Sequence, residues 1–348
     1  MLLLYEAMNP DIRLSQLNSW LANLASKWSL TLESLAPASS DASFRRYFRV
    51  TGSKNGAHQS FIVMDAPPAT EDTKPFIAIS ELFAQAKLNV PLVLEQDVDQ
   101  GFLLLSDLGN QTYLSALNPA SASKLYEDAN AALIQLQLAS KPGVLPEYNK
   151  ELLSRELSLF SEWYVNKHLN LELNSKQSAD LAHIFDLILE NNLSQAQVYV
   201  HRDFHSRNLM VTSDHNPGIL DFQDAVYGPI TYDLASLYRD AYIEWEEPEQ
   251  MDWLIRYWDK ARKAGLPVPP EFGDFYRDFE WMGLQRHLKV LGIFARLYHR
   301  DGKDGYLKDI PLVFKYTRKV AERYIALKPL LLLLDTIEGI ERSDGLTF

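Results

Sequence analysis

The spacing of apolar residues along this chain changes twice, and those changes divide it. Between residues 11 and 35, Leu14, Leu17, Leu21, Leu24 and Trp28 recur at helical intervals, which predicts an amphipathic helix followed by a turn at Pro37. From 44 to 65 the pattern becomes strand-like. FRRYFRV and SFIVMD flank Gly52-Ser53-Lys54-Asn55-Gly56, the composition of a hairpin loop. A second helix opens at Pro75, with Phe76, Ile79, Leu82, Phe83 and Ala86 on one face. Residues 93–96 and 101–105 read as two further strands around a turn at 97–100. Beyond Asp107-Leu108-Gly109 the spacing is helical over 112–139, 150–169 and 175–191, and again in several segments from 233 onward, with a polar loop at 300–310. The expected fold class is α+β. Residues 1–106 form a small N-terminal antiparallel-sheet lobe with one main helix, and 107–348 a larger, mostly helical C-terminal lobe.

Within the helical half, one stretch breaks the pattern. VYVHRDFHSRNLM (198–210) places His201, Asp203 and Asn208 in the order H-x-D-x-x-x-x-N behind a short strand. Thirteen residues after Asn208, Asp221 opens an Asp-Phe pair behind the apolar Ile219-Leu220. This is the two-part signature of a kinase-type phosphotransferase site. Phosphoryl transfer needs positioning and charge neutralisation more than covalent help. Asp203 is the candidate base for the acceptor hydroxyl. Asn208 and Asp221 are the candidate ligands for the Mg2+ of ATP, a hard cation suited to one or two carboxylates with phosphate and water oxygens. His201 is read as a structural member of the catalytic loop. His201 and His205 stand four apart, but the strand before them and the missing Glu of H-E-x-x-H argue against a zinc site.

Composition narrows the class. The 348 residues suffice for one large or two modest domains. A net charge of −12 argues against nucleic-acid and anionic-membrane partners. The chain has no cysteine, which removes thiolate catalysis, disulfides and Cys-based zinc sites. Its start, MLLLYEAMNPD, lacks the basic opening and longer apolar core of a signal peptide, and no apolar run reaches membrane-helix length. A cytoplasmic enzyme acting as a monomer is expected.

With these residues placed, the chain resembles the aminoglycoside-phosphotransferase branch of the protein-kinase-like superfamily. Within that branch it is similar to the bacterial N-acetylmuramate/N-acetylglucosamine anomeric kinases. The resemblance rests on DASFRRYFRV (41–50), VMDAPPATED (63–72), GFLLLSDLG (101–109), RELSLFSEWY (155–164), HRDFHSRNLM (201–210), LDFQDAVYGPITYDLASLYRD (220–240) and QRHLKVLGIFARLYHRDGK (285–303). It implies a protein-kinase-like two-lobe fold and ATP-dependent phosphorylation of an amino sugar's anomeric hydroxyl to the α-1-phosphate, in cell-wall amino-sugar recycling. It also implies that Leu104, Ser106 and Asp107 belong to the adenine-binding linker and that Asp233 braces the catalytic loop.

Two departures from the wider kinase pattern matter. The expected phosphate loop, Ser39-Ser40-Asp41-Ala42-Ser43-Phe44, has no glycine motif, which leaves backbone amides and the hydroxyls of Ser40 and Ser43 as candidates. The third strand, FIVMD, lacks the lysine of V-A-I-K. Arg46 or Arg49, on opposite faces of the neighbouring strand, could replace it with Glu81 as partner, the alternative being a solvated arginine edge. For the sugar, Glu156, Trp163 and Tyr164 lie on one helix. Glu156 and Trp163, seven apart, are expected on one face. Arg239 and Asp240 end a later helix, and Arg286 lies on another. Arg239 or Arg286 could meet a lactyl carboxylate. The competing functions are an aminoglycoside, choline or homoserine kinase of the same fold, and a nucleotide-binding pseudokinase.

Overall fold

A computed structural model describes residues 11–40, 44–54 and 56–340. They group into two compact units. One comprises the residues up to Asn110 together with Met210–Gln223; the other comprises Gln111–Leu209 and the chain from Asp224 onward.

In the first unit, β1 (Thr31–Ser40), β2 (Arg46–Lys54), β3 (Ala57–Asp65), β4 (Val93–Asp97) and β5 (Phe102–Ser106) form an antiparallel sheet in the order β1-β2-β3-β5-β4. Helix α1 (Ile12–Trp28) is capped by the Asp11 carboxylate, which accepts from the Leu14 N–H at 2.9 Å. It buries Leu17 and Leu21 with Val50, Phe61, Val63, Phe102 and Leu104. Leu103 and Leu105 alternate with these and are buried too, so the GFLLL run is a strand covered on both faces. Gly101 enters this strand at φ +73°, and a Cβ there would lie 1.9 Å from the Ala66 carbonyl oxygen.

The turn expected at Pro37 is instead the middle of β1. Proline fits because β1 is an edge strand, where its missing N–H breaks no inner ladder, and the register slips beside it. Helix α2 (Lys74–Gln85) buries Phe76, Ile79 and Phe83. Phe222 packs on Phe76 and Phe83 at ring separations of 4.9 and 5.8 Å, and the Ile219 N–H donates to the Asn89 carbonyl at 2.7 Å. These contacts attach residues 210–223 to the sheet unit.

The second unit is mostly helical. A single turn, Tyr113–Ala116, precedes α3 (Ala122–Leu138); the continuous helix expected over 112–139 breaks where Pro119 cannot take an interior position. Helix α4 (Lys150–Leu159) runs into a π-helix, Phe160–His168. The remaining helices are α5 (Ser175–Ser194), α6 (Tyr232–Tyr238), α7 (Glu247–Lys263), α8 (Phe272–Asp301), α9 (Ile310–Arg323) and α10 (Lys328–Glu338). Strands β6 (Gln197–Val200) and β7 (Val226–Pro229) pair antiparallel, with Val200 opposite Val226. From Phe279 to Leu291, α8 is buried on every side, as a central helix must be. Among the described residues no helix is long and apolar enough to cross a membrane.

The crossing of α8 with the α4–π junction depends on one missing side chain. A Cβ on Gly292 would lie 2.3 Å from the Leu159 carbonyl carbon, which no rotamer change relieves. Gly292→Ala is therefore expected to destabilise the chain by about 1–3 kcal/mol, as overpacking does, read as a lower urea midpoint at unchanged slope.

Candidate active site

The loop carrying H-x-D-x-x-x-x-N begins directly after β6 and hangs from two buried carboxylates. Asp233, in the first turn of α6, accepts the backbone N–H of His201 at 2.7 Å and of Arg202 at 2.9 Å. Burial nevertheless pushes Asp233 up to about 7 against the pull of these donors. Asp240, just past the same helix, accepts the N–H of Ser206 at 2.9 Å and of Tyr242 at 3.0 Å. Arg202 sits at φ +77°, a left-handed conformation that non-glycine residues adopt only when their surroundings hold them there. His201 is buried, with its Nδ1 3.3 Å from the Asp203 N–H and its ring edge-on to Phe204.

Asp203 is half-buried in this loop. Burial favours its neutral form, but Lys289, His205, Arg286 and Arg202 outweigh that and hold its carboxyl down at about 2. Asn208 donates its amide to the Asp203 carbonyl at 3.0 Å, which fixes the amide so that its oxygen faces away from that carbonyl.

Beneath Asp203 lies a charge cluster. Glu156 pairs with Arg202 and, at 3.1 Å, with Lys289, and accepts from the Tyr148 hydroxyl. Lys289 also donates to the Tyr232 hydroxyl at 3.0 Å, and the Arg202 guanidinium lies 5.5 Å from the Tyr148 ring centre. Burial opposes the charge on Glu156, but Lys289 and Arg202 keep its pKa below the usual carboxylate value. Tyr148, Arg202 and Lys289 escape a reading by motif. The available signal was Lys289 itself, a lone charge inside the apolar run LKVLGIF.

Asp221 belongs to the sheet unit. It stands at φ +62°, and its Oδ1 accepts from the Gln223 side chain at 2.8 Å. Gln223 occupies the position of glycine in D-F-G, a substitution visible in LDFQDA.

The other predicted residues fall as follows. Ser43 and the side chain of Ser40 lie outside the described residues. The arginines are not a solvated edge. Arg45 pairs with Glu71 at 3.0 Å. Arg46 binds Asp65 at 2.6 Å and also Asp11. Arg49 binds Asp107 at 2.6 Å and the Gly109 carbonyl at 2.9 Å. Arg46 and Arg49 thus have carboxylate partners already, and Glu81, exposed on α2, is not the one either of them takes. Arg49 braces the 107–109 linker. Leu104 gives its backbone to the sheet, facing Val63 and Glu95 across the ladders, and the Ser106 N–H donates to the Leu92 carbonyl at 3.0 Å.

Of the residues offered to the sugar, Glu156, Arg239 and Asp240 are buried in the helical unit's own polar framework. Arg239 pairs with Glu280 at 2.9 Å. Tyr164 is buried and stacks on Phe160 at 5.7 Å. Trp163 is half-buried; the π-helix beginning at Phe160 changes the winding between it and Glu156, so α-helical spacing no longer puts the two on one face. Arg286 is 3% exposed, and its Nη1 has no hydrogen-bond partner among the described residues.

Residues 34–272 match the model of the APH phosphotransferase enzyme family. The chain belongs to this family. It is 50% identical over 323 residues to the N-acetylmuramate/N-acetylglucosamine kinase of Pseudomonas aeruginosa, an alignment spanning 91% of this chain and 94% of that one. It is 52% identical over 316 residues to the protein of the same name from Neisseria meningitidis, spanning 89% and 93%. Among solved structures, ADP-bound aminoglycoside phosphotransferase APH(2'')-Ib matches with a TM-score of 0.57 at 16% identity, over 86% of this chain and 97% of that one. A choline/ethanolamine kinase family protein from Mesorhizobium loti matches with a TM-score of 0.60 at 14% identity, over 93% and 100%. These neighbours carry the fold alone: a protein-kinase-like fold with a small antiparallel-sheet lobe and a larger helical one. The family resemblance read from the sequence holds.

Proposed function

We propose that this phosphotransferase transfers the terminal phosphoryl group of ATP to the anomeric hydroxyl of N-acetylmuramate and N-acetylglucosamine, forming the α-1-phosphate in cell-wall amino-sugar recycling. The observation that carries this reading is identity of 50% and 52%, over about nine-tenths of the chain, to two proteins named for those sugars. The sheet lobe (1–106) is assigned the nucleotide, with the 104–107 linker at the adenine, and the helical lobe (107–348) the sugar.

In this reading Asp203 accepts a hydrogen bond from the acceptor hydroxyl and aligns its lone pair. A carboxyl held at about 2 is a weak base, so orientation is its main task. That suffices where bond formation to the nucleophile is slight in a loose transition state and the proton leaves late. Asn208 and Asp221 would hold magnesium, which when bound neutralises charge on the transferring phosphate. An amide and a carboxylate oxygen suit that hard ion, and each is oriented by a bond to its own neighbourhood, Asn208 to the Asp203 carbonyl and Asp221 to Gln223. Gln223→Ala removes one support of the Asp221 carboxylate. It is expected to raise the magnesium concentration for half-maximal rate roughly ten- to a hundred-fold, as loss of such outer partners does, measured by titrating magnesium at fixed ATP.

The test of the reaction is phosphorus NMR after incubation with ATP, magnesium and either sugar. A phosphate coupled to the C1 proton supports the reading. Phosphate on another hydroxyl, or ADP release driven only by an aminoglycoside or choline, overturns it.

A further inference from the structure

Four residues beyond Asp203, the same loop presents a cation that the catalytic motif does not use. The Arg207 guanidinium lies over the Tyr242 ring, its central carbon 3.6 Å from the ring centre, with the Tyr306 ring centre at 5.8 Å. Tyr242 is itself fixed: its N–H is held by Asp240 at 3.0 Å, and its ring meets His205 at 5.4 Å and Phe294 at 6.2 Å. Among the described residues the one ion-pair partner of Arg207 is Asp309, at 3.8 Å, beyond hydrogen-bonding distance. The Arg207 side chain keeps 37% exposure. The guanidinium therefore has an aromatic backing, while the side chain stays partly open to solvent. A planar fork held in this way matches a carboxylate, which it can bind through two parallel hydrogen bonds.

Building on the proposed function, we infer that Arg207 recognises the acceptor's acidic substituent, the lactyl carboxylate that N-acetylmuramate carries and N-acetylglucosamine lacks. Tyr242 sets the guanidinium plane for this contact. The reacting C1 hydroxyl and the C3 ether that bears the lactyl group belong to one pyranose ring. A group that binds the second must therefore stand close to the residue that orients the first, and Arg207 shares the short loop of Asp203. The other cations considered for this task are poorly presented. Arg239 is 4% exposed and paired with Glu280, and Arg286 is 3% exposed beneath the loop.

The experiment is steady-state kinetics of Arg207→Gln with both sugars, each at saturating ATP, and with ATP varied. Losing a charge-assisted pair is expected to lower the ratio of kcat/KM for N-acetylmuramate over that for N-acetylglucosamine by roughly ten- to a hundred-fold, mainly through KM. Arg207→Lys keeps the charge but loses the fork, and Tyr242→Leu keeps the fork but frees its plane; both are expected to shift the ratio in the same direction by less. Activity on N-acetylglucosamine reports in each case that the variant is folded. An unchanged ratio overturns the assignment. So does an equal loss on both sugars, or a raised KM for ATP, either of which would place the guanidinium on the donor phosphates or on loop geometry. Wild-type enzyme that phosphorylates neither sugar removes the underlying reading before any variant is compared.

Discussion

Asp203→Asn is expected to lower kcat by roughly 10²- to 10⁴-fold, the range supplied by a positioned acid–base group, with KM for ATP changed by no more than a few-fold. The asparagine keeps the shape and the hydrogen-bonding oxygen but loses the charge that orients the hydroxyl and accepts its proton. Because Lys289, His205, Arg286 and Arg202 overcome the effect of burial and hold Asp203 at about 2, the wild-type residue is ionised throughout the neutral range. The acid limb of a pH–rate profile above about pH 4 then belongs to other groups, and the variant keeps the same profile at a lower level. Retained ATP affinity, measured by calorimetry with magnesium present, separates this role from metal binding. An equal collapse of ATP affinity would exchange the roles given to Asp203 and to the proposed ligands Asn208 and Asp221.

The largest loss of stability is expected at Glu156. Glu156→Ala leaves Arg202 and Lys289 without their shared counter-ion and the Tyr148 hydroxyl without its acceptor. Breaking a buried pair by removing one partner costs about 3–5 kcal/mol, because a charge stays buried without compensation. The urea midpoint should fall accordingly, and kcat with it, since Arg202 adjoins Asp203 and Lys289 helps keep it ionised. Glu156 also shapes the acid side of the stability curve. Its folded pKa is depressed from 4.5, so its contribution is fully present above that value and is lost as pH falls through the lower folded value. The variant's stability is expected to vary less steeply with pH over that acid window. Replacing Lys289 by Met together with Glu156 by Leu removes one cation with the shared carboxylate and leaves Arg202 as the remaining charge. Recovery of part of the loss in that double variant would assign the single-variant penalty to the unpaired charge rather than to lost packing.

Local chemistry made much of this molecule legible in its sequence. The switch from period two to helical period separates the sheet lobe from the helical lobe because each element must bury one face, and that demand is written in consecutive residues. The motif that makes Asp203, Asn208 and Asp221 candidates is readable for a similar reason: one loop and one strand end carry them at short fixed spacings, and few other uses explain that order. Pro37 reads locally as a turn, but it lies within β1, because the tolerance of an edge strand for proline depends on which side has a neighbour, a property of the assembled sheet. The π-helix at Phe160 was equally invisible. It forms where Leu159 meets Gly292, far along the chain, and it moves Trp163 off the face expected from Glu156.

Tertiary structure alone decided how the charges pair. Arg46 and Arg49 look like available cations when only their own strand is considered. Asp65 and Asp107, brought beside them by the sheet, make them structural. Glu156 looks like a sugar ligand on an amphipathic helix until Lys289, 133 positions further along, meets it in the interior. Arg207 likewise meets Tyr242 where Asp240 holds the backbone of both Ser206 and Tyr242. Hydrophobic periodicity is a one-dimensional signal, whereas the partner of a charge is chosen by proximity in three dimensions. The sequence therefore determined the α+β fold class and the family, and the fold determined which cations serve stability and which hold Asp203 ionised.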